Sequence, residues 1–375
     1  MKAVIIGGGA SGIACALSVK MNMPSADVTV IEHLDSPCKK LYATGNGRCN
    51  ITNKNAEGYE ITRDFFESIG LVLRESNEGR VYPYSNQAAT VVNILLESCE
   101  KYGVKIICSC NAYKVENIGG QYNIFTDKGV FTSDVLVLAT GGQAQKNLGS
   151  DGSGYELSKM LGHSVTELSP ALVQLISSSK NCRALKGVRT KCNVSIETNG
   201  KLLETAFGEL LFTDYGISGI VTMDLSHHVS DRRLKSGEDR TVAIIDFVPN
   251  MSVSELEKHI EEFGSLEGIL PQKLCSILDR QSGGNKEKTA SYAKNWRLII
   301  TGTKGYSFAQ ITSGGIPVSE LSDSCESDKN ENLYIIGELT DRQFKCGGYN
   351  LNFAFLSAVK AAEKIVSKEY NYDKN

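Results

Sequence analysis

The chain of 375 residues is 41% hydrophobic and 22% charged, which is typical of a folded protein of two or three domains. Its net charge of −3, and the lack of an apolar run near the roughly 18 residues of a bilayer span, argue against nucleic acid and membranes as partners. The first motif starts too close to the amino terminus for a signal peptide, and the eleven cysteines include no C-x-x-C pair. We therefore expect reduced thiols and a cytoplasmic protein.

The first 32 residues predict a dinucleotide-binding βαβ unit. A buried strand leads into a G-x-G-x-x-G motif at Gly7, Gly9 and Gly12, a helix follows, and a second strand ends at Glu32. Gly7 permits a tight turn, Gly9 lets a pyrophosphate approach the backbone, and Gly12 lets helix and strand pack closely. The helix N-terminus attracts the pyrophosphate, and Glu32 is placed to accept hydrogen bonds from a ribose. NAD and FAD share this motif, so it does not decide between them.

The next part of the chain predicts a parallel sheet with an antiparallel insertion. A glycine-containing loop covers residues 39–53, and an apolar strand ends at Thr140-Gly141-Gly142. Between them we expect helices at 62–69 and 88–102, strands at 104–108 and 134–139, and a three-stranded meander at 112–118, 121–126 and 129–132.

The middle of the chain changes character after about Pro170. Short strands are predicted at 191–197, 208–213 and 242–247, followed by a helix capped by Ser254 and a second helix at 271–279. We therefore expect four segments: an FAD-binding part at 1–169, a mostly β domain at 170–249, a small helical domain at 250–300, and a return at 301–375 that completes the first two domains.

The C-terminal part favours FAD over NAD. An apolar strand at 332–336 leads into Gly337-Glu338, and a periodic helix fills 351–366. In FAD-binding folds of the glutathione-reductase type, such a strand meets the ribityl chain and the following helix points its N-terminus at the flavin. The partial positive charge of that N-terminus stabilises negative charge on the reduced flavin.

The loop at 39–53, with its core T-G-N-G-R-C-N-I-T-N, resembles the signature of the BaiN-type flavoproteins, a family of NAD(P)/FAD-dependent oxidoreductases that includes aminoacetone oxidase-type enzymes. Further matching segments lie at 149–155, 161–163, 169–173, 208–213, 216–219, 312–316 and 337–355. The resemblance implies an α/β fold: a Rossmann FAD domain with a parallel sheet and β-meander, an inserted mostly β, barrel-like domain and a small helical domain. It implies FAD contacts from Gly7, Gly9, Ala10, Ser11, Gly12, Glu32, His33, Thr44, Gly45, Asn46, Arg48, Cys49, Asn50, Thr140, Gly141, Gly337, Glu338, Asp341, Gly348, Tyr349, Asn350 and Leu351.

The chain departs from the family pattern in one loop. Most members carry an L-D-x-D-G-x-T-G-G-Y-N loop beside the flavin, whereas this chain has a bulky Phe344 and a thiol at Cys346 within 340–350. FAD binding should tolerate the change, but substrate preference and oxygen reactivity are expected to differ.

Three residues are candidates for catalysis, each with a plainer alternative. Tyr349 is a proton donor for an enone reductase or a packing residue over the flavin helix. Cys346, just before that helix, is a redox thiol or an inert one, and Arg48 either pairs with a cofactor phosphate or has no role at the cofactor.

Other reactive side chains are expected to be structural. Cys49 is more plausibly buried packing than a redox thiol, and His163 more plausibly a core histidine than a base. His227 and His228 have no evident partners and are expected at the surface, and no cysteine–histidine group has zinc spacing, so no metal centre is expected.

The favoured function is hydride transfer between flavin N5 and a small or medium organic substrate, by an enone-type reductase or an amine or amino-ketone oxidase. Only one dinucleotide motif is present, so NAD(P)H, if used, acts as a transient co-substrate on the same flavin face. The alternatives are a non-enzymatic or redox-sensing flavoprotein whose site Phe344 occludes, and an RNA-modifying flavoprotein, which the slightly acidic charge disfavours. Oligomeric state and substrate are not determined by the sequence.

Overall fold

The structure is a computed structural model that describes residues 1–372, and it divides into two units. The first unit comprises Met1–Leu168 and the segment that begins at Ile311, so it is built from both ends of the chain. The second unit, Ser169–Gln310, is inserted between these two parts.

The elements are numbered in chain order. The N-terminal part contains β1 (Lys2–Ile6), α1 (Ala10–Asn22), β2 (Asp27–Ile31), α2 (Lys39–Ala43), β3 (Thr52–Asn53), α3 (Tyr59–Ser68), β4 (Leu73–Glu75), β5 (Arg80–Pro83), α4 (Ala88–Tyr102), β6 (Lys105–Ile107), β7 (Ala112–Ile118), β8 (Gln121–Thr126), β9 (Gly129–Ser133), β10 (Val135–Leu138) and α5 (Ser153–Met160). The middle contains β11 (Ser169–Ala171), β12 (Leu175–Ile176), α6 (Lys180–Ala184), β13 (Arg189–Thr198), β14 (Lys201–Phe212), β15 (Gly216–Ser218), α7 (Ile220–Leu225), α8 (Asp231–Ser236), β16 (Thr241–Asp246), α9 (Val253–Phe263), α10 (Gln272–Ser282), α11 (Lys286–Lys294), β17 (Trp296–Ile300) and β18 (Gly302–Thr303). The C-terminal part contains β19 (Ile311–Ser313), β20 (Leu333–Ile335) and α12 (Tyr349–Tyr372).

A five-stranded parallel sheet forms the centre of the first unit, in the order β20-β10-β1-β2-β6. Its central strands are buried on both faces, which explains why they read as continuous apolar runs in the sequence. On one face α1 packs against α12, and Ala14, Phe355 and Ala358 are fully buried there. The predicted Rossmann-type α/β fold is confirmed.

Two small antiparallel sheets accompany the parallel one. β7, β8 and β9 form the predicted meander, whose core residue Tyr122 is fully buried. β3, β5 and β4 form a second three-stranded sheet that the sequence did not predict, because its strands are only two to four residues long.

The second unit contains a seven-stranded antiparallel sheet in the order β17-β16-β13-β14-β15-β12-β18. The predicted helix over 254–263 is α9, but its N-cap is Ser252 and not Ser254. The Ser252 hydroxyl accepts from the Glu255 N–H while the Glu255 carboxylate accepts from the Ser252 N–H, which is a reciprocal capping box. Ser254 also lies three residues before an acid, Glu257, but it falls inside the helix. The helix α11 was not predicted. The division of this middle region into a β and a helical domain stays a prediction.

Among residues 1–372, no helix combines the length and apolar character needed to cross a membrane.

Candidate functional site

The candidate site lies where β1, β2, β10 and β20 end, because parallel strands place their carboxyl ends at one edge of the sheet. A methyl group on Gly12 would lie 1.9 Å from the Gly7 carbonyl oxygen, so only glycine lets α1 begin this close to β1. A methyl group on Gly9 would meet no atom within 4 Å. The first backbone bond of α1 runs from Ile13 N–H to Gly9 O, which leaves the N–H groups of Ala10 and Ser11 at the helix start for an anion.

Glu32 is buried, with 7% of its surface exposed, and it organises the turn around it. Its Oε2 accepts from the Gly8 N–H at 2.8 Å, and its Oε1 accepts from the Leu34 N–H at 2.8 Å. The half-buried His33 places Nδ1 3.4 Å from Oε1. The carboxylate is thus held in one orientation at the end of β2, and the ribose contact predicted for it stays a prediction.

Thr140 and Gly141 follow β10 and lie beneath the start of α5. A methyl group on Gly154 would lie 1.8 Å from Thr140 Oγ1, so α5 begins in direct contact with this threonine. Gly141 has a φ of +71°, which turns the chain away from the strand at a position suited to glycine.

The C-terminal segment joins the N-terminal motif at Gly337. This residue has a φ of +68°, and a methyl group on it would lie 2.7 Å from Ser11 Oγ. Its N–H donates to Ser357 Oγ of α12 at 3.0 Å. The structure therefore brings together the start of α1 and the end of β20, as the two sequence motifs predicted for one cofactor require.

Glu338 lies in an ion pair that the sequence analysis missed. Lys40 Nζ lies 2.9 Å from Glu338 Oε2, and the Thr312 N–H donates to Glu338 Oε1 at 3.0 Å. Lys40 opens the loop that carries the family signature, but it is 298 residues away from its partner. The only sequence feature that pointed to Lys40 was its position near the start of that loop.

The signature loop is exposed at its tip and buried at its end. Gly45 and Asn46 both have positive φ, with values of 58° and 56°. The Thr44 hydroxyl donates to the Leu41 carbonyl at 2.7 Å, which fixes the start of the turn. Arg48 is exposed, donates to the Gly45 carbonyl and lies 5.2 Å from the Tyr82 ring centre, so it braces the loop and covers an aromatic face.

Cys49 and Asn50 close the signature loop. Burial raises the pKa of the Cys49 thiol to about 12, which keeps it protonated and favours the packing role over redox chemistry. The buried Oδ1 of Asn50 has no hydrogen-bond partner within residues 1–372. A buried acceptor in this state is costly unless a ligand donates to it.

The variant loop before α12 is braced by two side chains. Asp341 Oδ1 accepts from the Val318 N–H at 3.0 Å, which holds the start of the loop. Asn350 Oδ1 accepts from the Phe344 N–H at 3.0 Å, and Asn350 Nδ2 donates to the Phe344 carbonyl at 2.8 Å. The amide of Asn350 thus serves the loop, which sequence reasoning did not anticipate.

Phe344 is held in a small aromatic cluster. Its ring centre lies 5.5 Å from that of Phe353, and the guanidinium of Arg342 lies 5.8 Å and 5.2 Å from the two ring centres. Cys346 is half-buried two residues further along, just before α12.

The start of α12 presents backbone donors. Asn352 N–H makes the first intrahelical bond, to Gly348 O, so the N–H groups of Tyr349 to Leu351 point out of the helix end. Gly348 has a φ of +97°, and a methyl group on it would lie 2.5 Å from the Thr52 carbonyl oxygen. Tyr349 is half-buried, and Lys345 Nζ lies 5.1 Å from its ring centre.

These features fit the predicted FAD. The open space beside Gly9 at the start of α1 suits a pyrophosphate. The orphaned oxygen of Asn50 suits a donor on the ligand, and the start of α12 suits the negative charge that a reduced flavin carries. All of these groups belong to the first unit.

A second histidine of the first unit, His163, has a structural role. His163 is buried, and its ring nitrogens pair with Glu320 at 2.7 Å and Ser327 at 2.8 Å, as expected for a core histidine. Burial opposes ionisation of Glu320, but hydrogen bonds from Ser164, Lys329 and His163 outweigh it and lower the pKa of this carboxyl to about 2.

The expectation that His227 and His228 have no partners is wrong. His228 Nε2 lies 2.7 Å from Glu204 Oε2, and His227 Nδ1 lies 2.8 Å from the Asp224 carbonyl oxygen. Glu204 lies 24 residues before His228 in the sequence, so folding alone brings the two side chains together, and neighbouring residues carry no sign of this contact.

Comparison with known proteins gives a consistent result. The profile of the family described as "HI0933-like protein Rossmann domain" matches residues 1–64 and 58–364. A 3-dehydro-bile acid delta(4,6)-reductase of Clostridium scindens is 35% identical over 96% of this chain and 98% of its own length. A ribosomal RNA dihydrouridine synthase of Escherichia coli is 27% identical over 97% of this chain and 98% of its own length.

The fold itself resembles a solved flavoprotein. The open conformation of a flavocytochrome c3 fumarate reductase superposes with a TM-score of 0.51 at 14% identity, covering 98% of this chain and 78% of that one. At this identity the likeness concerns the fold alone.

Proposed function

The chain belongs to the HI0933-like family and is an FAD-dependent oxidoreductase, and from that premise we propose that it reduces a carbon–carbon double bond conjugated to a carbonyl in a polycyclic small molecule. When bound, FAD supplies hydride transfer at N5. We assign NADH or NADPH as the electron donor. The chain has a single dinucleotide motif, which FAD occupies, so the nicotinamide nucleotide binds only transiently.

The single observation that carries the substrate class is the 35% identity to the bile acid reductase over nearly the full length of both chains. The name of that relative describes the reduction of delta(4,6) double bonds in a bile acid whose position 3 is oxidised to a ketone, so that the double bonds are conjugated to a carbonyl. The dihydrouridine synthases act on RNA, but their names also describe the saturation of a ring double bond beside a carbonyl. Conjugate reduction is therefore the chemistry that these relatives have in common.

The residues at the start of α12 suit this chemistry. The outward N–H groups of Tyr349 to Leu351 stabilise negative charge on the bound cofactor, an effect worth about 1 kcal/mol when partly buried. Conjugate reduction also needs a proton at the carbon next to the carbonyl, and we assign that role to the Tyr349 hydroxyl.

The loop before α12 supports an apolar substrate. Phe344 is held by Asn350 at both its N–H and its carbonyl, and its ring packs on Phe353. A ring fixed in this way offers a flat apolar surface, which suits a fused-ring substrate better than a single-ring one. We assign Phe344 to the wall of the substrate site.

A second candidate, reduction of uridine in ribosomal RNA, is favoured by the two synthases at 26% and 27% identity. The net charge of −3 favours a small-molecule substrate over RNA, because RNA binding depends on basic surfaces that contact the phosphates. None of the eleven cysteines, all within residues 1–372, forms a disulfide, which suits a reducing compartment, so we place the enzyme in the cytoplasm.

The test begins with the purified, FAD-loaded protein under anaerobic conditions. NADH or NADPH should bleach the flavin absorbance, and a 3-oxo-Δ4,6 steroid should restore it while gaining hydrogen, as detected by mass spectrometry. Unmodified ribosomal RNA is offered in parallel.

Three results would redirect the proposal. Reoxidation by RNA and not by the steroid would establish the second candidate. Flavin reduction by an amino ketone without NAD(P)H, followed by reoxidation by oxygen with release of hydrogen peroxide, would establish an oxidase. Flavin that is reduced but passes its electrons to none of these would support the occluded, redox-sensing alternative.

A further inference from the structure

A cluster of three metal-ligating side chains lies in the second unit. Glu204 of β14 and His227 and His228, in the turn after α7, place one carboxylate oxygen and two imidazole nitrogens within 4.8 Å of one another. His228 Nε2 lies 2.7 Å and His227 Nε2 lies 3.7 Å from the same oxygen, Glu204 Oε2. The two imidazole ring centres are 4.0 Å apart. Three ligand atoms from two separate segments thus converge on one point.

Close backbone packing holds the two segments together. Gly208 lets α7 lie against β14, since a methyl group there would come 3.1 Å from Val221 Cβ. Gly219, at a φ of +98°, lets the chain enter α7 where a methyl group would lie 2.2 Å from the Glu209 carbonyl oxygen. Ser226 then fixes the turn, because its hydroxyl donates to the Met223 carbonyl at 2.7 Å and accepts from the Val173 N–H at 3.2 Å. The histidines are therefore positioned by a rigid local frame.

The hydrogen bond of His227 to Asp224 determines which nitrogen is free. A backbone carbonyl only accepts, so Nδ1 of His227 carries the proton, at 2.8 Å from the Asp224 oxygen. In the neutral ring, Nε2 then presents a lone pair to the Glu204 carboxylate oxygen 3.7 Å away. Two acceptors that face each other repel unless a cation or a bridging hydrogen-bond donor lies between them, and a metal ion held by all three side chains would meet this need. A backbone carbonyl behind a metal-binding histidine is also the usual second-layer partner.

We propose that Glu204, His227 and His228 bind one divalent transition-metal ion, with zinc the favoured ion. Two imidazoles and a carboxylate match the ligand preference of zinc. With zinc–ligand bonds of about 2.0–2.1 Å, tetrahedral ligand atoms lie about 3.3 Å apart, so the present separations need only small side-chain movements. Metal binding would also release the proton that His228 Nε2 now donates to Glu204 Oε2. The exposed fractions of the three side chains, 48%, 32% and 23%, give the ion access from solvent and leave a fourth position for water.

The ion would link strand β14 to the turn that follows α7, within the second unit. All three ligands belong to that unit, whereas the residues proposed for FAD belong to the first. The metal site is therefore independent of the proposed reductase function, and either can fail without the other.

The experiment uses the full-length, FAD-loaded protein, freed of metal with EDTA and then dialysed against a small molar excess of zinc. The number of zinc ions per chain is measured by inductively coupled plasma mass spectrometry. The affinity for zinc is measured by competition with a chromogenic chelator. The variants are Glu204→Gln, His227→Gln and His228→Gln. His259→Gln is the matched control, because His259 lies on α9 in the same unit and packs against Phe263, with ring centres 4.8 Å apart, outside the cluster.

The wild type and the His259→Gln variant should bind about one zinc ion per chain. Loss of a second-layer partner weakens metal sites about 10–100-fold, so loss of a direct ligand in any of the three variants should weaken binding by at least 100-fold. Zinc should also raise the unfolding temperature of the wild type and not of the three variants. Circular dichroism in EDTA checks that each variant is folded.

Two results would overturn the proposal. One is a wild type that binds no zinc, nickel or cobalt at micromolar concentration. The other is zinc bound equally by the three variants, which would place the ion on cysteines or elsewhere.

Discussion

Replacing Gly9 or Gly12 by alanine tests the two roles that the glycine motif combines. Gly9 is the N-cap of α1, at a φ of −83° and a ψ of −168°, which alanine adopts without strain. Alanine is a poorer N-cap than glycine by up to about 1 kcal/mol. It also restricts the unfolded chain, which stabilises the folded state by about 0.4–1 kcal/mol, so the two effects nearly cancel. Because the added methyl meets nothing within 4 Å, the apoprotein should unfold within about 2 °C of the wild type.

The same substitution should weaken FAD binding. The methyl projects about 1.5 Å into the space where the pyrophosphate would meet the backbone. Moving the phosphate away by that distance breaks at least one hydrogen bond to a charged group, worth about 1.5–3 kcal/mol. The Kd for FAD, measured by quenching of flavin fluorescence, should rise about 10–100-fold.

Gly12→Ala should show the opposite pattern. Its methyl would lie 1.9 Å from the Gly7 carbonyl oxygen, against a normal carbon–oxygen contact of about 3.3 Å, so α1 must move by more than an ångström. Overpacking of this degree costs about 3 kcal/mol or more, which lowers the unfolding temperature of the apoprotein by about 6 °C or more. An unchanged Kd for FAD in Gly9→Ala would refute the placement of the pyrophosphate, and an unchanged unfolding temperature in Gly12→Ala would refute the packing argument.

Three further predictions concern catalysis, capping and acid stability. Tyr349→Phe should retain FAD absorbance but lose about 10²–10⁴-fold in steroid reduction if its hydroxyl is the proton donor, whereas Tyr84→Phe, at an exposed tyrosine of the same unit, should be unaffected. Ser252→Ala should destabilise the protein by about 1 kcal/mol in denaturant unfolding while Ser254→Ala costs nothing measurable, and equal effects would contradict the assignment of the cap. The pKa of Glu320 is lowered from 4.5 to about 2, so its contribution to stability is present above pH 4.5 and lost as pH falls towards 2; the unfolding temperature of Glu320→Gln should therefore vary less with pH across that window.

Much of the fold follows from local patterns in the sequence. The parallel strands are apolar because both faces are covered, and α4 spans Ala88–Tyr102, the same residues that periodicity predicts. The strands of the sheet β3-β5-β4 are too short for a periodic pattern, so they were missed. The cap of α9 was misplaced by two residues because Ser252 and Ser254 each lie three residues before a glutamate, so the capping-box spacing fits both serines equally.

The site was predictable where it depends on backbone geometry and not where it depends on distant pairs. The roles of Gly9 and Gly12 follow from the local turn between β1 and α1. The pair of Lys40 with Glu338 and the approach of Glu204 to the two histidines are set by tertiary packing, which leaves no mark on local sequence. The same limit holds for Asn350, whose amide serves the loop at Phe344 because of a conformation that no pattern in the sequence encodes.

The division of the first unit between the two ends of the chain has a consequence for synthesis. Strand β10 is complete about 200 residues before its neighbour β20, and α12, which covers α1, follows later still. At translation rates of about 5–20 residues per second, the nascent chain carries an unpaired strand edge and an uncovered helix face for about 10–40 seconds. Ribosome-bound chains should therefore depend on chaperones during this interval, and the cofactor should load only after α12 has emerged and packed on α1.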